Sequence, residues 1–318
     1  MSQASVKKKW LDIDGVLLLD KPAGISSNDA LIRAKRIMNA KKAGHTGTLD
    51  PFATGLLPIC FGEATKFSQD LLDADKTYET VVHLGIATTT GDTEGEVVKT
   101  SGAVSFSQDE IESALEKFRG DIFQVPPMYS ALKRDGKPLY EYARAGVVLE
   151  RESRPVTISE LTLLEWSSPF LTLKVTCSKG TYIRVLGEDI GNALGCGAHL
   201  KALRRIRVGS LGIEKAVSLK DLETGMLEET GAKHERLEPV DFLLSSFPEL
   251  SLNAVLTKRF LNGQRLSLAK EGIQLSTDSG RFRIYAAENG VFMGTAQLRA
   301  DGVLAPERLV SLARIPES

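Results

Sequence analysis

Residues 44–57 read GHTGTLDPFATGLL and are the most unusual stretch of the 318-residue chain. Glycines, small hydroxyls and an Asp-Pro pair cannot continue a regular helix or a central strand, so we predict a structured loop. A tight turn anchored by apolar residues would explain the glycines, but it gives no reason for His45 and Asp50. An aspartate among leucines loses hydration unless a cation or donors offset the loss, and such placement is typical of functional carboxylates. The loop is therefore the first candidate for an active site.

A second aspartate motif, Asp12-Ile13-Asp14-Gly15, has the D-x-D-G spacing of phosphotransferases that attack with the first aspartate. That chemistry needs a buried strand that ends at the first aspartate. Three lysines, residues 7–9, come shortly before it instead, and they cannot lie in a buried parallel strand. The apolar run follows at residues 16–19, where we predict the first core strand and no phosphotransferase site.

The composition is ordinary for a globular protein, with 42% hydrophobic and 25% charged residues. The three cysteines, Cys60, Cys177 and Cys196, lack C-x-x-C spacing, which favours a reducing compartment and argues against a disulfide framework. Four scattered histidines argue against a structural zinc site. Without a long apolar run or a secretory leader, the sequence predicts a cytoplasmic protein. We also expect that it uses no metal or other cofactor.

The charge is unevenly distributed although the net charge is only −1. Residues 31–49 contain five basic and no acidic side chains, and residues 199–213 contain four basic and no acidic ones. Two basic segments on one face would suit a folded polyanion. Two solvated helix faces explain the charge pattern equally well.

Strands and helices interleave without the regular spacing of a doubly wound sheet, so we predict an α+β fold around a mixed, largely antiparallel sheet. We expect Ser27 or Asn28 to cap a first helix and Ser107 to cap a second. The spacing of apolar residues predicts helices at 31–40, 107–118 and 181–194 and strands at 77–85 and 171–177.

An acidic segment at 221–241 marks a predicted domain boundary. Beyond it, alternating apolar runs are separated by Asn289-Gly290 and Asp301-Gly302, which are strong turn signals. The sequence therefore predicts a large domain over 1–245 and a small β-barrel or β-sandwich over 246–318.

Five further segments accompany the 44–57 stretch: KPAGISS at 21–27, KTYE at 76–79, GDTEG at 91–95, SKGTYIR at 178–184 and HLKALRR at 199–205. In these six ordered blocks the chain resembles the TruB-type family of tRNA pseudouridine synthases. The resemblance implies the pseudouridine synthase fold for the large domain. Residues from 246 on resemble the family's small PUA-type RNA-binding module only loosely.

The resemblance implies conversion of uridine 55 in the tRNA T-loop to pseudouridine, by breaking the N1–C1′ bond and rejoining the base through C5. It implies that Asp50 is the catalytic aspartate, that Arg184 orients it and lowers its pKa, and that Tyr78 stacks on the detached uracil. Covalent capture of C1′ and removal of a sugar proton both remain open as the role of Asp50. By residue type alone, Arg184 could contact phosphate instead, and Tyr78 could be a core residue.

The target base must be extruded from the folded RNA, and the resemblance implies that His45 fills the vacated space while Leu203 packs beneath the uracil. Thr48, Tyr182 and Lys21 complete the predicted substrate-binding residues, and Lys21 is expected mainly to support the active-site loop. The predicted contacts to the RNA backbone are Lys41, Lys42, Lys133, Arg134, Arg204 and Arg205.

Residues 121–158 resemble the T-loop-gripping insertion of the family's stand-alone branch. The resemblance thus implies the T-arm of tRNA as the partner, with no membrane contact, no protein partner and a monomeric enzyme. A non-catalytic tRNA-binding folding chaperone is the alternative function. Because Asp50, Tyr78 and Arg184 are all present, the sequence gives no sign of lost catalysis.

Overall fold

The structure, a computed structural model, describes residues 10–102, 104–224, 234–275 and 279–311. Some residues named above lie outside these ranges: the lysines at 7–9, part of the acidic segment at 221–241, and the first residues of the large predicted domain and the last residues of the small one. Within the described ranges, no helix is long and apolar enough to span a membrane.

Seven α-helices lie in the described part of the chain. They are α1 Ser27–Ile37, α2 Ser68–Asp73, α3 Gln108–Glu116, α4 Leu139–Arg144, α5 Ile183–Ala193, α6 Leu219–Thr224 and α7 Ala254–Leu261. Four short 3₁₀ helices also lie in the described ranges, at Gly62–Lys66, Ile213–Lys215, His234–Arg236 and Val240–Leu244.

Nineteen strands lie in the same described ranges, most of them in two sheets. In chain order they are β1 Gly15–Lys21, β2 Ala43–His45, β3 Thr54–Phe61, β4 Lys76–Leu84, β5 Ile86–Thr88, β6 Val97–Thr100, β7 Gly120–Gln124, β8 Lys133–Arg134, β9 Lys137–Pro138, β10 Arg154–Ser167, β11 Phe170–Cys177, β12 Ala198–Val208, β13 Leu211–Gly212, β14 Val217–Ser218, β15 Glu249–Leu252, β16 Leu266–Ser267, β17 Gly280–Ala286, β18 Phe292–Leu298 and β19 Val303–Leu309.

The larger sheet has ten strands in the order β14-β1-β3-β12-β4-β11-β10-β7, with β2 paired to β3 and β13 paired to β12. Only the pairs β1–β14 and β3–β12 are parallel. The predicted α+β fold around a mixed, largely antiparallel sheet is confirmed. Helices α1 and α6 bury apolar side chains against β1 and β3, whereas α3 and α5 pack against the half formed by β4, β10, β11 and β12.

Helix α1 begins earlier than the predicted residue 31, because Ser26 caps it. The Ser26 hydroxyl accepts from the Asp29 amide, and the Asp29 carboxylate accepts from the Ser26 amide, which is a capping box. The predicted caps Ser27 and Asn28 were therefore wrong. The same reciprocal arrangement joins Ser107 to Glu110, and this confirms the predicted cap of α3.

The stretch 44–57 was predicted to be a loop throughout, and this prediction was wrong at both ends. The stretch starts within β2 and runs into β3, which is central in the larger sheet between β1 and β12. Gly55 lies in β3 with φ +105°, and a Cβ there would stand 2.2 Å from the carbonyl oxygen of Arg205. Glycine therefore lets β3 approach β12 closely, and only the segment between the two strands is a loop.

The second sheet has five strands in the order β15-β17-β18-β19-β16, with α7 packed on it around a core that includes Phe260 and Met293. Asn253 caps α7 by accepting from the Leu256 amide at 3.0 Å. This curled sheet accounts for the predicted small β-barrel. The boundary predicted at 245 stays a prediction.

Helix α2 lies between the two sheets. At its start, the Phe67 ring meets Phe292 edge-on at 5.5 Å between centroids, and Asp70 forms an ion pair with Arg281 of β17. Just beyond its end, the Lys76 ammonium donates to the carbonyls of Leu71, Leu72 and Ala74 over 2.5–3.1 Å.

Candidate active site

Asp50 lies in the loop between β2 and β3, and that loop is fixed on both sides of it. On one side, the Ser27 hydroxyl accepts from the Leu49 amide at 2.8 Å and donates to the Leu49 carbonyl at 3.0 Å. On the other, the Lys21 ammonium donates to the Pro51 carbonyl at 3.3 Å. The Asp50 carboxylate is therefore held in one place while 36% of its side chain stays exposed.

Arg184, in the first turn of α5, holds this carboxylate. Its Nε lies 2.9 Å from Asp50 Oδ2 and 3.6 Å from Asp92 Oδ2, and only 4% of its side chain is exposed. Nη1 donates to the Thr90 carbonyl at 2.8 Å and Nη2 to the Tyr129 carbonyl at 2.7 Å. The guanidinium thus joins four segments of the chain at one point.

Burial raises the pKa of Asp50 above its ordinary value, the Arg184 cation opposes the rise, and the Asp92 charge adds to it. Arg184 lowers the pKa of Asp50, in the direction that the resemblance implied, but burial outweighs this effect and the net change is upward. The reason is that desolvation of this partly buried carboxylate exceeds the attraction of a cation that it shares with Asp92.

A cleft of about 240 Å³ opens on one side of Asp50. It brings together six of the residues predicted for catalysis or substrate binding: Thr48, Asp50, Tyr78, Tyr182, Arg184 and Leu203. Leu49, Leu72 and Leu203 give it apolar walls. Burial raises the pKa of Tyr78, so its hydroxyl is neutral near neutral pH.

A second cleft, of about 500 Å³, opens on the other side of Asp50. His45 lines it, together with Asn28, Tyr140 and Arg144. Burial and the charge of Arg205 lower the pKa of His45, which favours the neutral ring. The Gly47 amide donates to Nδ1 of His45 at 3.4 Å, which leaves Nε2 to carry the ring proton.

Two residues that were predicted to contact RNA are buried in the structure. Lys21 is 0% exposed, and its ammonium donates to the carbonyls of Pro22, Ile25 and Pro51, so it supports the loop and does not reach a substrate. Arg205 is 1% exposed, and its guanidinium donates to the carbonyls of Leu56 and Gly47. Arg205 is therefore part of the wall of the first cleft and not a surface contact for phosphate.

The other predicted backbone contacts lie near the surface. Lys41 and Lys42 are exposed before β2, and Lys133 and Arg134 are exposed on the ribbon of β8 and β9. Arg204 is half-buried and pairs with Asp20 at 2.7 Å.

Sequence reasoning missed three residues of the site. Asp92 is buried against Arg184, Lys76 lines the first cleft, and Ser130 lines both clefts. The GDTEG turn contained a signal for Asp92, since an aspartate between two glycines is well placed to project from a turn. Lys76 is two residues before Tyr78 on β4 and so shares its face of the strand.

Among the described residues, no three His, Cys, Asp or Glu side chains come together as ligands of a metal ion. The chemical groups at the centre of the site are a carboxylate, a guanidinium, a phenol and buried cations. Such a set can activate a carboxylate and stabilise a developing anion.

Three family models match consecutive parts of the chain. They are the TruB family pseudouridylate synthase N-terminal domain at residues 35–183, the tRNA pseudouridylate synthase B C-terminal domain at 184–245 and the pseudouridine synthase II TruB C-terminal model at 248–310. Together they cover most of the chain.

Curated relatives match over nearly their whole length. The tRNA pseudouridine synthase B of Burkholderia mallei (strain NCTC 10247) is 60% identical over 299 residues, which are 94% of this chain and 97% of that protein. The protein of the same name from Cupriavidus metallidurans is 57% identical over 305 residues, which are 95% of each chain.

Solved structures share the fold. A chain of a Cbf5-Nop10-Gar1 complex has a TM-score of 0.71 at 25% identity, covering 93% of this chain and 84% of that one. A chain of the archaeal box H/ACA sRNP Nop10-Cbf5 complex has a TM-score of 0.69 at 26% identity, covering 94% and 86%.

Proposed function

The chain belongs to the TruB family of tRNA pseudouridine synthases, and on this premise we propose that it converts uridine 55 of the tRNA T-loop to pseudouridine with Asp50 as the catalytic carboxylate. Isomerisation of uridine in tRNA follows from the family itself. The position in tRNA and the residues are our proposal. The observation that carries it is the Asp50 carboxylate, held 2.9 Å from Arg184 between two clefts.

The first cleft receives the extruded uracil. Tyr78 stacks on the ring and Leu203 packs beneath it, which keeps the detached base from escaping while it turns. The Tyr78 phenol is our candidate acceptor for the proton that leaves C5 after the base has been rejoined, and because burial keeps its hydroxyl protonated, it must pass on its own proton as it takes this one.

Asp50 acts at the sugar. Capture of C1′ and removal of a sugar proton both need the ionised carboxylate, and Arg184 favours that form against burial. Since the bonds of Arg184 to Thr90 and Tyr129 fix the guanidinium, Asp50 presents a defined oxygen to the substrate.

The second cleft receives the RNA around the extruded base. The neutral ring of His45 fills the space that the base has left and stacks on its neighbours. Exposed cations then contact the backbone, with Lys41 and Lys42 on one side and Lys133 and Arg134 of the insertion on the other.

The enzyme acts without a protein partner, as a monomer. Supporting this, the predicted insertion at 121–158 reaches the active site through the Tyr129 carbonyl, and the relatives that match at 57–60% identity carry the bacterial synthase name. The structures named for complexes with Nop10 match at only 25–26% identity.

Tritium release from C5-labelled uridine in an unmodified tRNA transcript tests the proposal, with the wild type compared with Asp50→Asn and no metal or nucleotide added. We expect release by the wild type alone, and no release from a transcript with cytidine at position 55. Release from the position-55 variant would contradict the assigned site. Tight tRNA binding without any release would favour the folding-chaperone alternative.

A further inference from the structure

The wall of the first cleft contains more cations than anions. The charged residues that line it are Asp50, Lys76, Lys179, Arg184 and Arg205. Arg184 is shared by two carboxylates, and Lys179 pairs at the rim with Asp73 at 2.9 Å. In the described part of the chain, Arg205 and Lys76 form no ion pair. Two buried cations thus remain beside the pocket for the base.

Arg205 is held by dipoles only. Its Nε donates to the Leu56 carbonyl at 2.8 Å and its Nη2 to the Gly47 carbonyl at 3.1 Å, with 1% of the residue exposed. It pairs across the strands with Tyr78, so both side chains lie on the same face of the sheet. Among the described residues, the guanidinium is thus a cation without a carboxylate partner in the wall of the cleft, although burial lowers its pKa from the ordinary value.

The field of this cation reaches across the site. It opposes the effect of burial on the pKa of Tyr78, and it contributes to lowering the pKa of His45, Lys21 and Lys76. A charge that influences four neighbouring groups will also act on a charge that develops on a bound base, because the enclosed cleft screens it poorly.

Such a charge does develop in the reaction. When the N1–C1′ bond breaks heterolytically, the electron pair stays with the base, and the uracil is then an anion delocalised over N1, O2 and O4. Both routes open to Asp50 pass through this anion. Later, C5 forms the new bond to C1′, which makes the base neutral again; the C5 proton is then lost and N1 takes up a proton, which gives neutral pseudouridine.

We propose that Arg205, assisted by Lys76, stabilises the negative charge of the departing uracil through the wall of the first cleft. This inference rests on the proposed function. Arg205 is a positioning residue in this role: it neither transfers a proton nor forms a bond, and it supplies a fixed positive potential beneath the base.

The stability of the leaving group tests this role. The 5-fluorouracil anion is more stable than the uracil anion because fluorine withdraws electrons, so its departure depends less on a nearby cation. Single-turnover loss of the target nucleoside would be measured on tRNA transcripts that contain uridine or 5-fluorouridine, by nucleoside analysis after nuclease digestion. The enzymes are the wild type, Arg205→Met, Arg205→Lys, Lys76→Met and Ser27→Ala.

We expect Arg205→Met to slow loss of uridine by about 10²–10³-fold, the usual effect of removing one fixed donor to a developing anion, and to slow loss of 5-fluorouridine about tenfold less. Arg205→Lys retains the charge and should remove most of this difference between substrates. Ser27→Ala disturbs the same loop through Leu49 without a change of charge, so it should slow both substrates equally.

Equal slowing of both substrates by Arg205→Met would overturn the inference and leave Arg205 as a support of the loop. If Arg205→Met does not fold, Lys76→Met provides the same test. We expect it too to slow loss of uridine more than loss of 5-fluorouridine, by a smaller factor. A wild type that converts neither transcript would refute the proposed function instead, so the two failures are distinguishable.

Discussion

The Tyr129 carbonyl accepts a hydrogen bond from Nη2 of Arg184 at 2.7 Å, and the same guanidinium holds Asp50. A residue of the predicted T-loop-gripping insertion is thereby one hydrogen bond away from the group that orients the catalytic carboxylate. Any movement of the insertion on the RNA must either keep this bond or release Arg184 from one of its four partners.

Arg184→Lys should lower the single-turnover rate by roughly 10²–10⁴-fold, because breaking a buried ion pair costs about 3–5 kcal/mol and a lysine cannot reach all four partners. Its tRNA affinity should stay within about threefold of the wild type, since the side chain is only 4% exposed. Rapid-quench kinetics and filter binding measure the two quantities. A rate within tenfold of the wild type would contradict this role of the Arg184 guanidinium.

Asp92→Asn should shift the acid limb of the pH–rate profile to lower pH. The reaction needs ionised Asp50, so activity is lost as pH falls through the Asp50 pKa, and the Asp92 charge raises that pKa. Asparagine keeps an oxygen to accept from the Glu94 amide and the Thr90 hydroxyl, so the turn is preserved. Asp109→Asn, at an exposed site on α3, is the control that should leave the acid limb in place.

Lys21→Met should lower stability by roughly 1–3 kcal/mol and leave tRNA affinity unchanged. The loss of stability is expected because three carbonyls, those of Pro22, Ile25 and Pro51, would lose their donor inside the protein. Urea unfolding and filter binding would test the two parts. Weaker tRNA binding by a folded Lys21→Met variant would restore Lys21 as a substrate contact.

Replacing both Lys133 and Arg134 by glutamine should weaken tRNA binding without slowing single turnover at saturating enzyme. The logarithm of the binding constant falls linearly with the logarithm of the salt concentration, and each lost phosphate contact makes this fall less steep by about 0.7–0.9. The slope should therefore become less negative by up to about 2. Lys117→Gln is the matched control, since this exposed lysine follows α3 and lines neither cleft. An unchanged slope would show that the ribbon of β8 and β9 does not contact the RNA backbone.

The sequence was most informative where a residue type has few possible roles. Glycine at position 55 is required by the backbone of Arg205, and an Asp-Pro pair marked the loop that carries Asp50. The six blocks of family resemblance then named Asp50, Tyr78 and Arg184, which the structure brings to one cleft.

It was least informative about side-chain direction. Arg204 and Arg205 are adjacent and were assigned the same role, but in β12 neighbouring side chains point to opposite faces, so one pairs with Asp20 near the surface and the other is buried. Assigning residues 198–208 as a strand would have separated them. The approach of Asp92 to Arg184 joins distant parts of the chain, and no local pattern predicts it.

Helix α2 has a consequence for how the two sheets depend on each other. The segment from Phe67 to Leu72 includes most of this helix, and it connects the Phe67–Phe292 contact to the wall of the first cleft, which Leu72 lines. The C-terminal sheet thus supports the wall of the base pocket through α2. A chain that ends before residue 246 would expose Phe67 to water and lack the partner of Asp70. The base pocket of the truncated enzyme would therefore be less rigid, even with a minimal T-arm substrate that does not contact the missing sheet.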